Sequence, residues 1–308
     1  MFKSKILVTG STGLVGSHFV KYFNSKSSDQ HLLCPSKEEL NITLPLVVKE
    51  YFKKFQPQIV IHFAAFTDIN AVEQERGDQQ GLAWITNVEG TENIVDACIF
   101  NGSYLIYIST DGIFSGRKEN PGPYDENTPV ETNSDNLSWY GWIKAQAESI
   151  VSKRLSSATV IRIANPVRSR FNNKLDYIRK IIYLFDKGEL YPMFTDQYLT
   201  LTFINEVSEF IIRLINNPKP GIYHVSSKDL FTPFELASYL LEKIRGVIGV
   251  VKPASIEDFL KKIKNPARYP QYGGLKTKKT RERFKIEFLD WREIIEALID
   301  KGMVVTPF

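Results

Sequence analysis

The sequence predicts an α/β fold: a doubly wound parallel sheet with helices on both faces, followed by a smaller mixed α/β region. Three observations predict it. Short apolar runs alternate with amphipathic stretches through the first half of the chain. The runs are nearly continuous in apolar character, as expected of strands buried on both faces. A glycine-spaced turn follows the first run directly. The 308 residues suffice for a large core and divide near residue 165, giving a region 1–165 and a region 166–308 whose chain interleaves with the first.

Taken in order, residues 6–9 read as a strand and 17–23 as a helix with Phe19, Val20 and Phe23 on one side. A short strand is expected at 31–34, an amphipathic helix at 46–55 ended by Pro57, and a strand at 58–65. A long helix is expected over 84–100, stopped by Asn101-Gly102, and buried strands at 103–110 and 159–163. Beyond Asn165 the pattern loosens, with helices at 175–187, 205–216 and 233–244, a strand at 221–226, a charged segment at 276–285 and a last helix at 290–299. No repeat or low-complexity linker separates the regions, so they are expected to pack together with the active site where they meet.

Composition excludes several classes. With 43% hydrophobic and 24% charged residues the chain is neither disordered, collagenous nor a coiled coil. The excess of 39 Lys+Arg over 35 Asp+Glu, +4, is too small to predict a nucleic-acid partner. Two cysteines, Cys34 and Cys98, make neither a disulfide framework nor a metal cluster and suit a reducing cytosol. The four histidines, His18, His31, His62 and His224, lack metal-ligand spacing, and His62 reads as a core residue. No metal is expected. No apolar run reaches the roughly 18 residues of a membrane span, and the N-terminal residues lead into a strand and turn, unlike a signal peptide. The expectation is a cytoplasmic protein with no membrane partner.

The first strand runs into Gly10-Ser11-Thr12-Gly13-Leu14-Val15-Gly16, a G-x-x-G-x-x-G spacing. Gly10 permits the tight turn, Gly13 lets the backbone approach a pyrophosphate, and Gly16 lets the next helix pack on the strand. The helix N-terminus then offers N–H groups and partial positive charge to phosphates. Such a loop in such a place predicts a Rossmann-type dinucleotide site. The acid that holds the ribose 2′-hydroxyl in NAD-selective sites is missing, because Pro35-Ser36-Lys37 follow the second strand. Ser36 and Lys37 with no repelling acid beside them favour a 2′-phosphate, hence NADPH, with NADH as the alternative.

Tyr140-Gly141-Trp142-Ile143-Lys144 sets Tyr and Lys four apart, on one face of a helix. A lysine ammonium beside a phenol lowers the phenol's pKa and suits it to proton transfer with a carbonyl or alcohol. Ser109-Thr110 end the preceding strand at the sheet edge where ligands bind in such folds. Elsewhere, Asp68, Glu73 and Glu75 read as a solvated helix start, and the basic run 276–283 as a solvated helix face.

Together, Thr9–Gly16 (T-G-x-x-G-x-x-G), His62-Phe63-Ala64-Ala65, Asn87-Val88-Glu89-Gly90-Thr91, Ser109-Thr110 and Tyr140…Lys144 resemble the extended short-chain dehydrogenase/reductases. Within that superfamily the chain resembles the dTDP-4-dehydrorhamnose reductase and sugar-nucleotide-binding (RmlD-like) family. The residues are Ser109-Thr110-Asp111-Gly112-Ile113-Phe114, Thr195-Asp196-Gln197…Thr202-Phe203, Asn41-Ile42-Thr43 and Ala267-Arg268-Tyr269-Pro270. The resemblance implies Thr110 as hydrogen-bond donor to the carbonyl, Tyr140 as proton donor, and Lys144 as ribose ligand and Tyr140 activator. It implies Asn41 and Ile42 beside the adenine, Ala64 and Ala65 along the cofactor groove, and Asn87 steadying the site. It implies a nucleotide-sugar substrate near Thr67, Asp111, Asn165, Thr202 and Arg268, and it leaves a homodimer open.

Four departures fall where that family binds its sugar or nucleotide. Gly112 replaces an aromatic, Leu199 and Leu201 replace Gly and Pro, Arg162-Ile163-Ala164-Asn165-Pro166 resembles an epimerase motif, and Tyr269 separates Arg268 from Pro270. The expected function is therefore an NADP(H)-dependent reductase of a nucleotide-linked 4-keto-deoxysugar. The alternatives are an NAD-dependent sugar-nucleotide epimerase or dehydratase and, in another class, a non-catalytic dinucleotide-binding regulatory subunit.

Overall fold

The computed structural model describes residues 5–26, 31–169 and 175–303. The chain folds as two compact units. The first runs to Ile113 and adds Val130–Arg162 and Val207–Tyr223. The second comprises Phe114–Pro129, Ile163–Glu206 and the chain from His224 onward.

The first unit holds the α/β sheet. Its strands are β1 (Lys5–Thr9), β2 (His31–Leu33), β3 (Ile59–His62), β4 (Tyr104–Thr110), β5 (Ala158–Ile163) and, returning late in the chain, β9 (Gly221–His224). They lie in the order β2-β1-β3-β4-β5-β9. The pairings of β1 with β2, β1 with β3 and β3 with β4 are parallel, with Ile6 opposite Leu32 and Ile59, and Val60 opposite Leu105. Continuous apolar runs become central strands because both faces are covered; every residue of β3 is buried. The strand expected over 58–65 stops at His62, opposite Thr9, the last residue of β1.

The helices between strands are α1 (Leu14–Lys26), α2 (Pro45–Phe55), α3 (Ile69–Gln74) and α6 (Trp139–Arg154). The long helix expected over 84–100 is three pieces: α4 (Leu82–Trp84), a π-helical segment Ile85–Glu89, and α5 (Gly90–Asn101). Gly102, at φ 68°, donates to the Cys98 and Ile99 carbonyls and ends it. Leu7, Val60, Ile94, Leu105, Val151 and Val160 share one core, and Val72, Ala83, Val88, Trp139 and Ile143 form another. Arg154 of α6 reaches Glu92 at 2.7 Å and Asp96 at 2.5 Å on α5.

In the second unit the strands are short: β6 (Pro166–Val167) pairs with β8 (Thr202–Phe203), and β7 (Met193–Phe194) with β10 (Pro253–Ala254). Helices α7 (Tyr177–Asp186), α9 (Pro233–Arg245) and α12 (Trp291–Asp300) enclose a core containing Ile178, Ile182, Leu236, Leu240, Trp291 and Leu298. Capping boxes start α9 at Thr232 with Glu235 and α12 at Asp290 with Glu293. Helix α8 (Ile204–Asn216) begins in this unit and belongs to the first from Val207 on, and the short helices α10 (Ile256–Leu260) and α11 (Lys278–Phe284) complete the second. The basic run lies largely on α11, where Arg281 pairs with Glu287 at 2.5 Å.

Candidate active site

The chain leaves β1 for β2 on one side and returns to lay β3 on the other. The carboxyl ends of β1 and β3 therefore flank the crevice at which open α/β sheets bind ligands. Gly10 stands there at φ +66°, and a Cβ on it would come within 2.6 Å of the Ala64 nitrogen. A Cβ on Gly16 would sit 2.3 Å from the Gly10 carbonyl oxygen, so α1 rests directly on the loop. Gly13 N–H donates to the Gly10 carbonyl at 3.0 Å, closing the turn. Thr12 and Gly13 are exposed, and Ser11, Leu14 and Val15 half-exposed. A tight exposed turn opening a 13-residue helix fits the pyrophosphate of a dinucleotide.

The loop after β2 differs from its expected character. Ser36 N–H donates to Glu39 Oε2 at 2.8 Å, and Glu39 N–H to Ser36 Oγ at 3.3 Å. Glu38 also bonds Ser36; its own backbone N–H, Ser36 and neighbouring Lys37 hold its carboxyl below the ordinary range. Two carboxylates thus stand beside Ser36 and exposed Lys37, where none was expected to oppose a phosphate. Asn41 folds back on the chain, its Oδ1 accepting from Thr43 N–H at 3.1 Å and Thr43 Oγ1 at 2.9 Å. Ile42 is buried, and its carbonyl accepts from Asn93 at 2.8 Å.

Thr110 ends β4. Its hydroxyl accepts Gly112 N–H at 3.1 Å and donates to Asp111 Oδ1 at 3.2 Å. Helix α6 lies against this segment: a Cβ on Gly141 would be 2.0 Å from the Gly112 carbonyl oxygen. That approach brings Tyr140 near Asp111. Burial pushes the half-buried Asp111 carboxyl up to about 6, against the hydrogen bonds from Thr110 and the backbone. Burial, with the Asp111 charge, pushes the Tyr140 phenol up to about 12.

The described hydrogen bonds of Lys144 run to β4, whereas its spacing had pointed to Tyr140. Its ammonium donates to Tyr107 Oη at 2.6 Å and to the Ile108 carbonyl at 2.8 Å, both on β4. Burial brings Lys144 down to about 7, opposed by the charge of Glu148. Glu148 itself accepts Ser109 Oγ at 2.6 Å and pairs with Arg162 at 2.6 Å, all three buried. Arg162, taken from sequence as part of an epimerase-like motif, is thus a structural partner of α6.

Several residues that brace the site were missed or misjudged. Asp68 caps α3 by accepting Asn70 and Ala71 N–H groups, as a helix-start acid should. Glu73 is instead nearly buried: it pairs with Arg76 at 2.5 Å and accepts the Trp139 N–H at 2.9 Å. Arg76 donates to the Leu137 carbonyl at 2.7 Å. Glu75 accepts the Ala83 N–H at 2.8 Å. Only the three-residue spacing of Glu73 and Arg76 hinted at this brace. Asn87, in the π segment, accepts Phe66 N–H at 2.7 Å and donates to the Phe66 carbonyl at 2.9 Å. It thereby fixes the loop after β3 that carries half-buried Ala64 and Ala65 and exposed Thr67. His62 is a satisfied core residue, with Nδ1 2.6 Å from Thr9 Oγ1 and Nε2 3.1 Å from Thr91 Oγ1. Burial, then the charge of Lys144, brings it down to about 3, so it is neutral.

In the second unit, Asn165 has φ +43° and donates to the Thr200 carbonyl at 3.1 Å. Thr202 corrects a sequence expectation. It is fully buried, and its hydroxyl accepts Ala164 N–H and donates to the Val225 carbonyl, both at 2.9 Å, which is a structural assignment. Leu199 and Leu201, together one of the four departures, are likewise buried in the core of this unit. Asp196 accepts Ser255 Oγ at 2.7 Å and Ile256 N–H at 2.6 Å, and Gln197 donates to the Pro270 carbonyl at 2.8 Å. Arg268 ends a 3₁₀ turn, Pro266–Arg268, with its guanidinium 5.8 Å from the centre of the Tyr269 ring.

Among the described residues no group of three or more His, Cys, Asp or Glu is placed to hold a metal ion. Nor is any described helix long and apolar enough to cross a membrane.

Comparison with known proteins extends the likeness over the chain. The family model for the RmlD substrate binding domain matches residues 4–304. Methionine adenosyltransferase 2 subunit beta of Xenopus laevis is 30% identical over 273 residues, 82% of this chain and 76% of the relative. A protein of Streptomyces antibioticus named probable dTDP-4,6-dihydroxy-2-methyloxan-3-one 4-ketoreductase is 26% identical over 297 residues, covering 96% and 94%. The crystal structure of dTDP-4-dehydrorhamnose reductase from Bacillus anthracis in complex with NADP superposes with a TM-score of 0.83 at 25% identity, covering 98% of this chain and 100% of that one.

Proposed function

The chain belongs to the RmlD substrate binding domain family, and from that premise we propose that it is an NADPH-dependent reductase of a nucleotide-linked 4-keto-deoxysugar. The observation that carries the reading is that α6, which bears Tyr140 and Lys144, meets β4 and the Thr110-Asp111 segment at its end, in the sheet that also bears the Gly10–Gly16 turn. The activity named for the Streptomyces relative and the NADP bound to the Bacillus enzyme support the same reading.

Bound NADPH would supply a hydride to the carbonyl carbon. The turn residues 10–16 would hold its pyrophosphate, and Lys37 with Ser36 would take the 2′-phosphate. Asn41 and Ile42 would flank the adenine, Ala64, Ala65 and Asn87 would shape the groove, and Tyr140 and Lys144 would take the nicotinamide ribose. The Tyr140 phenol, held protonated by burial and by Asp111, delivers a proton to the carbonyl oxygen. Thr110 turns its hydroxyl from Asp111 to that oxygen and polarises it. Thr67, Asp111, Asn165 and Arg268 are assigned to the sugar nucleotide. The setting is cytoplasmic.

The identity to methionine adenosyltransferase 2 subunit beta favours one second reading, a dinucleotide-binding subunit of another enzyme. One experiment separates them: NADPH consumption measured against dTDP-, UDP-, GDP- and CDP-linked 4-keto-6-deoxyhexoses. Turnover with one nucleotide series supports the reductase. NADPH binding without turnover on any member sinks it in favour of the second reading.

A further inference from the structure

Lys144 is buried, 4% exposed, and the described contacts engage two of its three N–H donors, one by Tyr107 Oη and one by the Ile108 carbonyl. The Tyr107 ring also lies beneath it, with Nζ 4.2 Å from the ring centre. Tyr107 is itself 1% exposed, with the Thr91 hydroxyl beside its own. Thr91 Oγ1 donates to the Asn87 carbonyl at 2.7 Å and lies 3.1 Å from His62 Nε2, while His62 Nδ1 lies 2.6 Å from Thr9 Oγ1.

The protons in this chain can be assigned in one self-consistent way. Thr9 donates to His62 Nδ1, His62 Nε2–H to Thr91, Thr91 to Asn87, and the Tyr107 hydroxyl to Thr91. The Tyr107 oxygen is then left with only lone pairs toward Lys144. It is an obligatory acceptor, which suits an N–H of the lysine. Burial, then the charge of Glu148, keeps Tyr107 well above its ordinary pKa, so the hydroxyl stays intact.

We propose that Tyr107 is a positioning residue for Lys144, fixing its ammonium through an acceptor whose orientation is set by Thr91 and His62, so that one N–H direction remains for the cofactor ribose. The proposal rests on the assignment of Lys144 to the cofactor. The charged and titratable groups around Lys144 are His62 on β3, Tyr107 on β4, Asp111 after β4, and Tyr140 and Glu148 on α6. Of these, Asp111 titrates near 6 and Lys144 near 7, while His62 and Tyr140 titrate far outside neutrality. A transition that Lys144→Met abolishes therefore reports Lys144, and one that survives reports Asp111.

The test is NADPH affinity by fluorescence titration between pH 5 and 9, with NADH in parallel as a cofactor lacking the 2′-phosphate. In the wild type the affinity weakens as Lys144 loses its proton. Tyr107→Phe keeps the ring and removes only the acceptor, so the transition moves to lower pH by about one unit and binding at pH 8 weakens about tenfold. Thr91→Val, which unties the Tyr107 hydroxyl, moves it the same way by less and serves if Tyr107→Phe does not fold. A role in packing alone would lower the melting temperature and leave the transition where it is, and that result overturns the proposal. Lys144→Met serves as reference. If it leaves NADPH affinity unchanged at every pH, the assignment of Lys144 to the cofactor falls and takes this proposal with it. If it abolishes the transition while Tyr107→Phe and Thr91→Val do not move it, only the role of Tyr107 falls.

Discussion

Glu73 accepts the backbone N–H of Trp139 across 66 residues of chain, at 2.9 Å. Trp139 is the first residue of α6, whose opening N–H groups have no partner within the helix. Ser138 supplies a near cap to Gly141 at 3.0 Å, and Glu73 supplies a distant one. The residue so fastened immediately precedes Tyr140. Glu73→Ala should destabilise the protein by about 1–3 kcal/mol, the cost of an unmet buried donor. It should also reduce kcat about tenfold by loosening the placement of Tyr140, with little change in NADPH affinity. Denaturant unfolding and steady-state kinetics measure the two effects; a loss confined to stability would show that Glu73 only holds the fold.

Tyr140→Phe removes the proposed proton donor and leaves the ring. Turnover should fall by about 10²–10⁴, the usual worth of a placed general acid. Cofactor affinity, measured by calorimetry, should stay within a small factor of wild type. Unchanged turnover would remove Tyr140 from the chemistry.

The buried ammonium of Lys144 gives stability a definite pH dependence. Its pKa is about 7 in the folded protein against 10.5 unfolded. Below pH 7 both states are protonated and the fold bears the full cost of burying the charge. Between about 7 and 10.5 the folded state has shed a proton that the unfolded state keeps, so stability contributed by this site rises with pH. Lys144→Met lacks this dependence. The stability of the variant relative to wild type should therefore be greatest near pH 6 and decline toward pH 10, by an amount on the order of several kcal/mol. Parallel unfolding curves across that range test the sign.

In the proposed cofactor site, Lys37 and Glu39 should pull cofactor choice in opposite directions. Lys37→Ala should lower the ratio of kcat/KM for NADPH over NADH, and Glu39→Gln should raise it, each by less than about tenfold because the groups are exposed. If neither substitution moves the ratio, the loop after β2 does not read the ribose.

What could be read from sequence was what depends on neighbours along the chain. Strand and helix order, the Gly10–Gly16 turn and the Tyr140–Lys144 spacing all follow from local pattern. What could not be read depends on partners brought close by folding. Glu73 looked like a solvated acid because its partners at Trp139 and Arg76 include one far along the chain. Lys144 seemed destined to act on Tyr140 by spacing alone, yet Tyr107 on β4 holds it. Leu199 and Leu201 looked like altered substrate contacts until burial showed them to be core. The interruption of the 84–100 helix left no trace in composition or apolar period, since a widened turn uses the same residue types.

That widened turn, Ile85–Glu89, makes Asn87 behave as a strand of one residue. Its amide meets both the N–H and the carbonyl of Phe66, as a neighbouring peptide would in a ladder. The chain beyond β3 is thereby held at Phe66 by a side chain and not by another strand. The arrangement depends on counting: each helical residue advances the side chains by about 100°. Loss of a single residue from this segment would preserve its apolar character and its helical propensity, yet swing Asn87 off its partner. Length is therefore constrained here more strictly than amino-acid identity, and substitutions would be absorbed where a one-residue deletion would not.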